Sequence, residues 1–313
     1  MHVAQRLLAQ GHEVLGLDNL NTYYDPRLKR ARLAQLADCP GFAFCEGDLA
    51  DQVFMSGVFA SFRPQRVIHL AAQAGVRHSL VNPHAYVQSN LTGFTHVLEG
   101  CRHASVEHLV FASSSSVYGA NAHVPFSEAD RVDHPVSFYA ATKKANELMA
   151  HSYSHLYGFP STGLRYFTVY GPWGRPDMSP WLFSSAILEG RPIPVFNEGK
   201  MQRDFTFVDD IAEGTVRVLD HLPGPDSDSG APWCVYNIGN HQPVELMRFI
   251  RILEGVLGRQ AQLQFEPMQP GDVVRTYADT TRLQMAVGFA PTTALEEGLA
   301  RWAEWYLSWC KAG

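Results

Sequence analysis

Cysteine is scarce in this chain: there are five among 313 residues (Cys39, Cys45, Cys101, Cys234, Cys310), and no two form a CxxC pair. An odd, scattered set argues against a disulfide framework and for reduced thiols, as in cytoplasm. Long apolar runs are missing as well; none approaches the roughly 18 residues that a membrane span requires. Nor is there an excess of positive charge, since 25 Lys and Arg against 31 Asp and Glu leave a net charge of -6. That balance argues against nucleic acid as partner, while a small phosphorylated ligand needs only a few local arginines. Fourteen histidines are present without an HExxH or comparable ligand spacing, so they read as structural or surface residues and no metal is expected.

What is present is the pattern of a parallel α/β protein, with 46% hydrophobic and 18% charged residues. Val3, Ala4, Leu7 and Leu8 share a helical face that Gly11 can end, and "EVLGLD" (Glu13 to Asp18) reads as a short strand closing on a carboxylate. "GFAFCEGDL" (Gly41 to Leu49) reads as a strand ending near Asp48, and "RVIHLAA" (Arg66 to Ala72) as one buried on both faces. A helical period runs from His84 to His103. "HLVFASSSSVYG" (His108 to Gly119) is a strand entering a hydroxyl-rich loop, Ser137 to Tyr157 is a long helix, and Ser161 to Pro172 is the next strand. Alternation of this kind gives a doubly wound parallel sheet, which binds ligands at the carboxyl ends of its strands. Asp18, Asp48, Ala71, Ser114 and Tyr166 all fall at such ends. Beyond Pro172 the alternation weakens and Pro and Gly become frequent. The expected organisation is therefore a Rossmann-like domain over 1–165 and a smaller, mainly substrate-binding part over 166–313, some of whose segments return to the first.

Tyr139 and Lys143 in "YAATK" carry the sharpest chemical signal. Four residues apart on a helix, they share a face. An ammonium beside a phenol favours the phenolate, so Tyr139 is expected to act as a base with its pKa held down by Lys143. A serine of the upstream run can donate to the same substrate oxygen.

At this point the chain resembles the extended short-chain dehydrogenase/reductases that act on nucleotide sugars, most closely the UDP-glucuronate 4-epimerases. The segments that carry the resemblance span nearly the whole chain: "GLDNLNTYYDPRLKRARL", "HLAAQAGVRHSL", "ASSSSVYG", "YAATKKANE", "LRYFTVYGPWGRPDM" and "RDFTFVDDI". The resemblance implies NAD as a bound cofactor, a UDP-hexuronate as substrate and a homodimer. It also implies a first strand and a GxxGxxG loop ahead of the first helix; on this reading about two dozen residues are missing before Met1, and the chain as written is expected to fold and hold NAD poorly.

The roles implied residue by residue follow the family's segments. Asp18, with Asn19, matches the position that binds the adenosine ribose, where a carboxylate would repel a 2'-phosphate and so favours NAD over NADP. Asp48 and Leu49 match adenine contacts. Leu70, Ala71, Ala72, Gln73, Asn90, Tyr166 and Phe167 match the rest of the cofactor path, with Lys143 on the nicotinamide ribose. Ser114 matches the serine that joins Tyr139 and Lys143 in catalysis, while Ser115, Ser116 and Thr168 face the sugar, the division of labour among the serines remaining open. Arg175 matches a position near the sugar carboxylate, Arg203 and Arg275 the diphosphate contacts, and Val195 and Phe196 the uridine wall. The dehydratase relatives carry Asp-Glu where this chain has Ser115 and Ser116, which argues against water elimination. The expected reaction is epimerisation at C4 of UDP-glucuronate through a 4-keto sugar. The alternatives are another nucleotide-sugar epimerase or decarboxylase of the same fold, or a catalytically silent binding protein.

Overall fold

The computed structural model describes residues 1–121, 123–268 and 274–312. Its strands are β1 (Val14–Asp18), β2 (Phe42–Glu46), β3 (Arg66–His69), β4 (His108–Ser114), β5 (Ser161–Tyr166), β6 (Thr168–Tyr170), β7 (Pro192–Phe196), β8 (Gln202–Phe207), β9 (Trp233–Ile238), β10 (Pro243–Glu245) and β11 (Gln262–Glu266). The helices are α1 (His2–Ala9), α2 (Pro26–Ala34), α3 (Gln52–Phe62), α4 (His78–Val81), α5 (Pro83–Tyr86), α6 (Gly93–Ala104), α7 (Phe138–Tyr157), α8 (Ser179–Glu189), α9 (Val208–Leu219), α10 (Leu246–Leu257), α11 (Thr281–Val287) and α12 (Leu295–Ala312).

The parallel α/β class holds, but the sheet comes in two pieces. β3, β4, β5 and β9 form a four-stranded parallel sheet in that order, and β1 pairs in parallel with β2. Among the described residues no strand joins β1 to β3. The consequence shows in burial: Val67 and Ile68 of β3 are half-buried and not enclosed on both faces, and β1 is half-buried throughout. Fully buried strand residues sit instead at the centre, where Leu109, Val110, Phe111 and Leu164 are sealed between helices.

Local chemistry sets the helix that matters most. The Ser137 hydroxyl accepts from Ala140 N at 3.1 Å, and Gly158, at φ +71°, takes the left-handed conformation that ends α7 after twenty residues. α7 therefore starts just before Tyr139 and carries Lys143 one turn later. The period expected over His84 to His103 is also helical, though a π-helical stretch at Val87–Thr92 interrupts it between α5 and α6. The chain leaves the large sheet at Phe167, whose N–H still bonds to Ile238 O (3.1 Å), and β6 then joins β8 and β10. With β7 and β11 these strands pack under α8, α10 and α12 around Phe205, Phe249 and the fully buried Trp302. The Trp and Tyr stripe of α12 is thus core: Trp302 stacks on Tyr306 and donates from Nε1 to Ser184 Oγ at 2.9 Å.

A buried ionic network ties the large sheet to α7. Arg165 of β5 makes a two-pronged pair with Glu147 of α7 (2.8 and 2.9 Å), and Ser113 of β4 donates to the same carboxylate at 2.7 Å. Arg165 also donates to the Tyr118 hydroxyl (3.0 Å), which in turn donates to Asn237 of β9 (2.6 Å). No helix of the described residues is long and apolar enough to cross a membrane.

Candidate active site

The carboxyl ends of β1, β3, β4 and β5 open on one cleft of about 1200 Å³. A single small-molecule site usually occupies about 300–1,000 Å³, so this one has room for two ligands end to end. The β1 end holds Asp18 and Asn19, with Asp48 and Leu49 beside them. Asp18 Oδ1 accepts from Leu20 N at 2.7 Å, and Asn19 donates to Asp48 at 2.8 Å, so both carboxylates are fixed by the turns that carry them. Lys29 Nζ lies 3.7 Å from Asp18 but is held by Asn21 (2.9 Å) and the Tyr24 ring.

The middle of the cleft runs along Leu70, Ala71, Ala72 and Gln73. Gly75 follows at φ +100°, where a side chain would be strained; a Cβ there would also meet the Tyr23 hydroxyl at 2.8 Å. The far end gathers Ser114, Ser115 and Ser116 at the end of β4, Tyr139 and Lys143 from α7, and Tyr166, Phe167 and Thr168 at the end of β5 and the start of β6, together with Arg175, Phe196 and Arg203. Among the described residues no group of His, Cys, Asp or Glu is arranged to hold a metal.

The reactive end has a definite electrostatic character. Burial, with the Asp177 charge, holds the Tyr139 phenol pKa above the ordinary value, outweighing the lowering influences of the Ser114 side chain and the Arg175 charge; the Ser114 hydroxyl itself donates to Ser116 Oγ at 3.1 Å. Lys143 is almost fully buried, donates from Nζ to Ala112 O at 2.8 Å, and is pushed down to about 8 by desolvation. The expected lowering of the Tyr139 pKa by Lys143 is not visible in the resting fold, where Lys143 is not among the groups that act most on the phenol. The phenol's lowering influences here are Ser114 and Arg175, while the Lys143 ammonium donates to a main-chain carbonyl. Tyr86 packs edge-on against the Tyr139 ring and donates to Ala74 O at 2.9 Å.

Three expected site residues do not line the cleft. Asn90 is buried beneath it, accepting from Gln73 N (2.8 Å) and donating to Gln73 O (3.0 Å), so it shapes the wall without forming it. Val195 is fully buried in the core under α8 and α10, because alternate β7 residues point to opposite faces and Phe196 takes the cleft side. Arg275 is exposed, bridges to Gln202 and lies outside the lining. Conversely, Tyr23, Arg77, Asp177 and Met178 line the cleft without having been assigned roles. The "YYDP" and "GRPDM" stretches that contain Tyr23 and Asp177 were the available signal.

A buried lysine with its pKa lowered has a consequence for stability. Lys143 binds its proton less tightly in the folded chain than in the unfolded one, so it opposes folding below about pH 8 and that penalty fades between about 8 and 10.5. Lys143→Met is expected to raise unfolding free energy by about 1–3 kcal/mol at pH 7 and to lose that advantage as pH rises to 10.5. Denaturant melts of both proteins across this range are the check, a pH-independent difference being the contrary result.

A parallel sheet whose strand end brings a serine to one end of a long cleft, where the helix beside it sets a tyrosine and a lysine four residues on, with two carboxylates at the other end, defines an enzyme of the short-chain dehydrogenase/reductase class. The chain belongs to the NAD dependent epimerase/dehydratase family, whose model matches residues 1–239. It is 48% identical to a probable UDP-glucuronate 4-epimerase of Rhizobium meliloti, over 97% of this chain and 93% of that protein. It is 46% identical to UDP-glucuronate 4-epimerase 3 of Arabidopsis thaliana, covering all of this chain and 75% of the relative. Among solved structures it is similar to UDP-glucuronic acid 4-epimerase from Bacillus cereus in complex with UDP-glucuronic acid and NAD. That likeness has a TM-score of 0.89 at 30% identity, over 98% of this chain and 95% of the other. The cleft suits NAD: its ribose end presents a fixed carboxylate, and Lys29 beside it is already engaged by Asn21 and Tyr24 and not free for a 2'-phosphate.

Proposed function

We propose that this enzyme interconverts UDP-glucuronate and UDP-galacturonate by NAD-dependent epimerisation at C4. The observation that carries this reading is the meeting, in one cleft, of Ser114, Tyr139 and Lys143 with an arginine whose charge reaches the phenol. In this reading Asp18 and Asn19 hold the adenosine ribose, Asp48 and Leu49 the adenine, and Leu70 to Gln73 the stretch leading to the nicotinamide beside Lys143, Tyr166 and Phe167. NAD bound there would supply a reversible hydride acceptor for C4. Tyr139 takes the proton of the sugar 4-hydroxyl, with Ser114 fixing the oxygen, and gives it back once the sugar has turned over. Lys143, which lines the same end of the cleft and stays mostly protonated at neutral pH with a pKa of about 8, supplies a positive charge for the developing phenolate.

The keto intermediate is a β-keto acid and can lose carbon dioxide when its carboxylate lies along the carbonyl π system. Arg175, in the same cleft as Thr168, Ser115 and Ser116, is suited to hold the carboxylate out of that alignment. Phe196 and Arg203 serve the uridine and diphosphate. A homodimer accords with exposed apolar side chains on α4, α7 and the π-helical stretch, among them Leu80, Val81, Val87, Leu148 and Leu156. A cytoplasmic setting accords with five free cysteines and with a UDP-sugar substrate.

Arg175→Leu tests the substrate assignment. It leaves the sugar carboxylate unpaired in a partly dry site, so kcat/KM for UDP-glucuronate is expected to fall by about 2–5 kcal/mol of transition-state binding. The inhibition constant of UDP-glucose, which has no carboxylate, is expected to change far less. Equal losses for the two sugars would remove Arg175 from carboxylate recognition, and carbon dioxide as the main product would replace epimerisation by decarboxylation.

A further inference from the structure

Arg175 already holds a carboxylate. It donates from Nε to Asp177 Oδ1 at 3.1 Å and from Nη2 to Oδ2 at 3.3 Å, a side-on fork of the kind guanidinium forms with carboxylates generally. The Tyr23 hydroxyl donates to the same carboxylate at 3.3 Å, across 154 residues of sequence. Both partners occupy the space beside Gly75 that a side chain would fill, since a Cβ there would come within 2.8 Å of the Tyr23 oxygen and 3.5 Å of Asp177 Oδ2. Arg175 and Asp177 are each about one-third exposed, and all four residues line the cleft.

One edge of a guanidinium pairs with one carboxylate. A second carboxylate arriving at Arg175 must take the place of Asp177 or lie close to it, and two like charges so near each other repel. We infer that Asp177 is a specificity-determining residue: its carboxylate is the internal partner of Arg175 and is exchanged for the carboxylate of the hexuronate. A sugar with a neutral hydroxymethyl group at C5 has nothing to exchange, so the Tyr23–Asp177–Arg175 contact stays closed over it. The Tyr23 hydrogen bond strengthens the closed arrangement and carries the exchange to the 21–25 turn, whose Asn21 side chain holds Lys29 beside Asp18. This inference rests on the reading that Arg175 receives the substrate carboxylate.

The experiment compares KM for UDP-glucuronate and the inhibition constant of UDP-glucose in NAD-loaded wild type, Asp177→Asn, Tyr23→Phe and Arg175→Leu. An amide is a weaker partner for guanidinium than a carboxylate, and a part-exposed ion pair is modest in strength. Asp177→Asn is therefore expected to lower KM for UDP-glucuronate about two- to fivefold and to leave the UDP-glucose constant behind. Tyr23→Phe, which keeps the ring and loses one hydrogen bond, is expected to shift KM the same way by less. If Asp177 merely braces Arg175, KM for UDP-glucuronate rises in both variants, and the exchange is overturned. A parallel change for both sugars overturns it as well. Arg175→Leu separates the levels: equal losses for both sugars defeat the carboxylate assignment itself. A selective loss of UDP-glucuronate there, with a raised KM in Asp177→Asn, defeats only the exchange.

Discussion

Tyr139→Phe is expected to lower turnover of UDP-glucuronate by about 10²–10⁴-fold, the usual range for loss of a positioned acid–base group, with little change in affinity for the UDP-sugar. The ring packs edge-on against Tyr86, and phenylalanine preserves that contact. What is lost is the phenol oxygen, on which the Ser114 side chain and the Arg175 charge both act. The phenol sits above its ordinary pKa in the fold, so the reaction has to supply its deprotonation, and Ser114 and Arg175 are the neighbours that ease it. Single-turnover measurement of the reduced cofactor separates the outcomes. A variant that still reduces NAD at a comparable rate would remove Tyr139 from the proton transfer, whereas unchanged binding with no reduction assigns it there.

The second large effect concerns folding. Glu147 is fully buried, and its carboxylate is held below the usual range by Arg165, Lys144 and Ser113, which together outweigh the opposing cost of burial. Glu147→Ala strands the Arg165 guanidinium, itself 3% exposed, and removes the acceptor of Ser113. Breaking a buried pair from one side typically costs about 3–5 kcal/mol, enough to leave a marginally stable domain largely unfolded at 37 °C. The pH sign follows from the lowered carboxylate. Its stabilising contribution is present above the unfolded pKa of about 4.5 and is lost as pH falls through the lower folded value. Wild type is therefore expected to lose stability in acid where Glu147→Ala, already without the pair, loses less. Denaturant melts at pH 7 and pH 4 measure both; an unchanged midpoint at pH 7 would show that the network is not what holds α7 to the sheet.

The legible part of this protein was local. The spacing of Tyr139 and Lys143 on one helical face, the serine run at the end of a strand and the carboxylates closing β1 and following β2 could all be read from neighbouring residues. They meet in one cleft because a parallel sheet collects its carboxyl ends on one side. What escaped depended on partners distant in sequence. Nothing near Glu147 announces Arg165, and nothing near Asp177 announces Tyr23. Val195 was a different kind of miss, since Val195 and Phe196 are adjacent on a strand and must point apart; period-two reasoning would have left only Phe196 on the cleft. Asn90 escaped because a π-helical stretch turns its amide onto the Gln73 main chain, a local geometry that an ordinary helical period conceals. The split between the β1–β2 pair and the larger sheet leaves β3 less buried than its apolar sequence suggested.

The account's central claim is that one enzyme removes hydride from C4 of a UDP-hexuronate and returns it to the same carbon. The most direct test incubates the NAD-loaded enzyme with UDP-glucuronate deuterated at C4, in ordinary water, and follows the sugar by NMR and mass spectrometry. The account predicts UDP-galacturonate that retains its deuterium at C4, with no loss of mass and no carbon dioxide. Loss of the deuterium to solvent, release of carbon dioxide with a UDP-pentose, or recovery of UDP-glucuronate alone would contradict it.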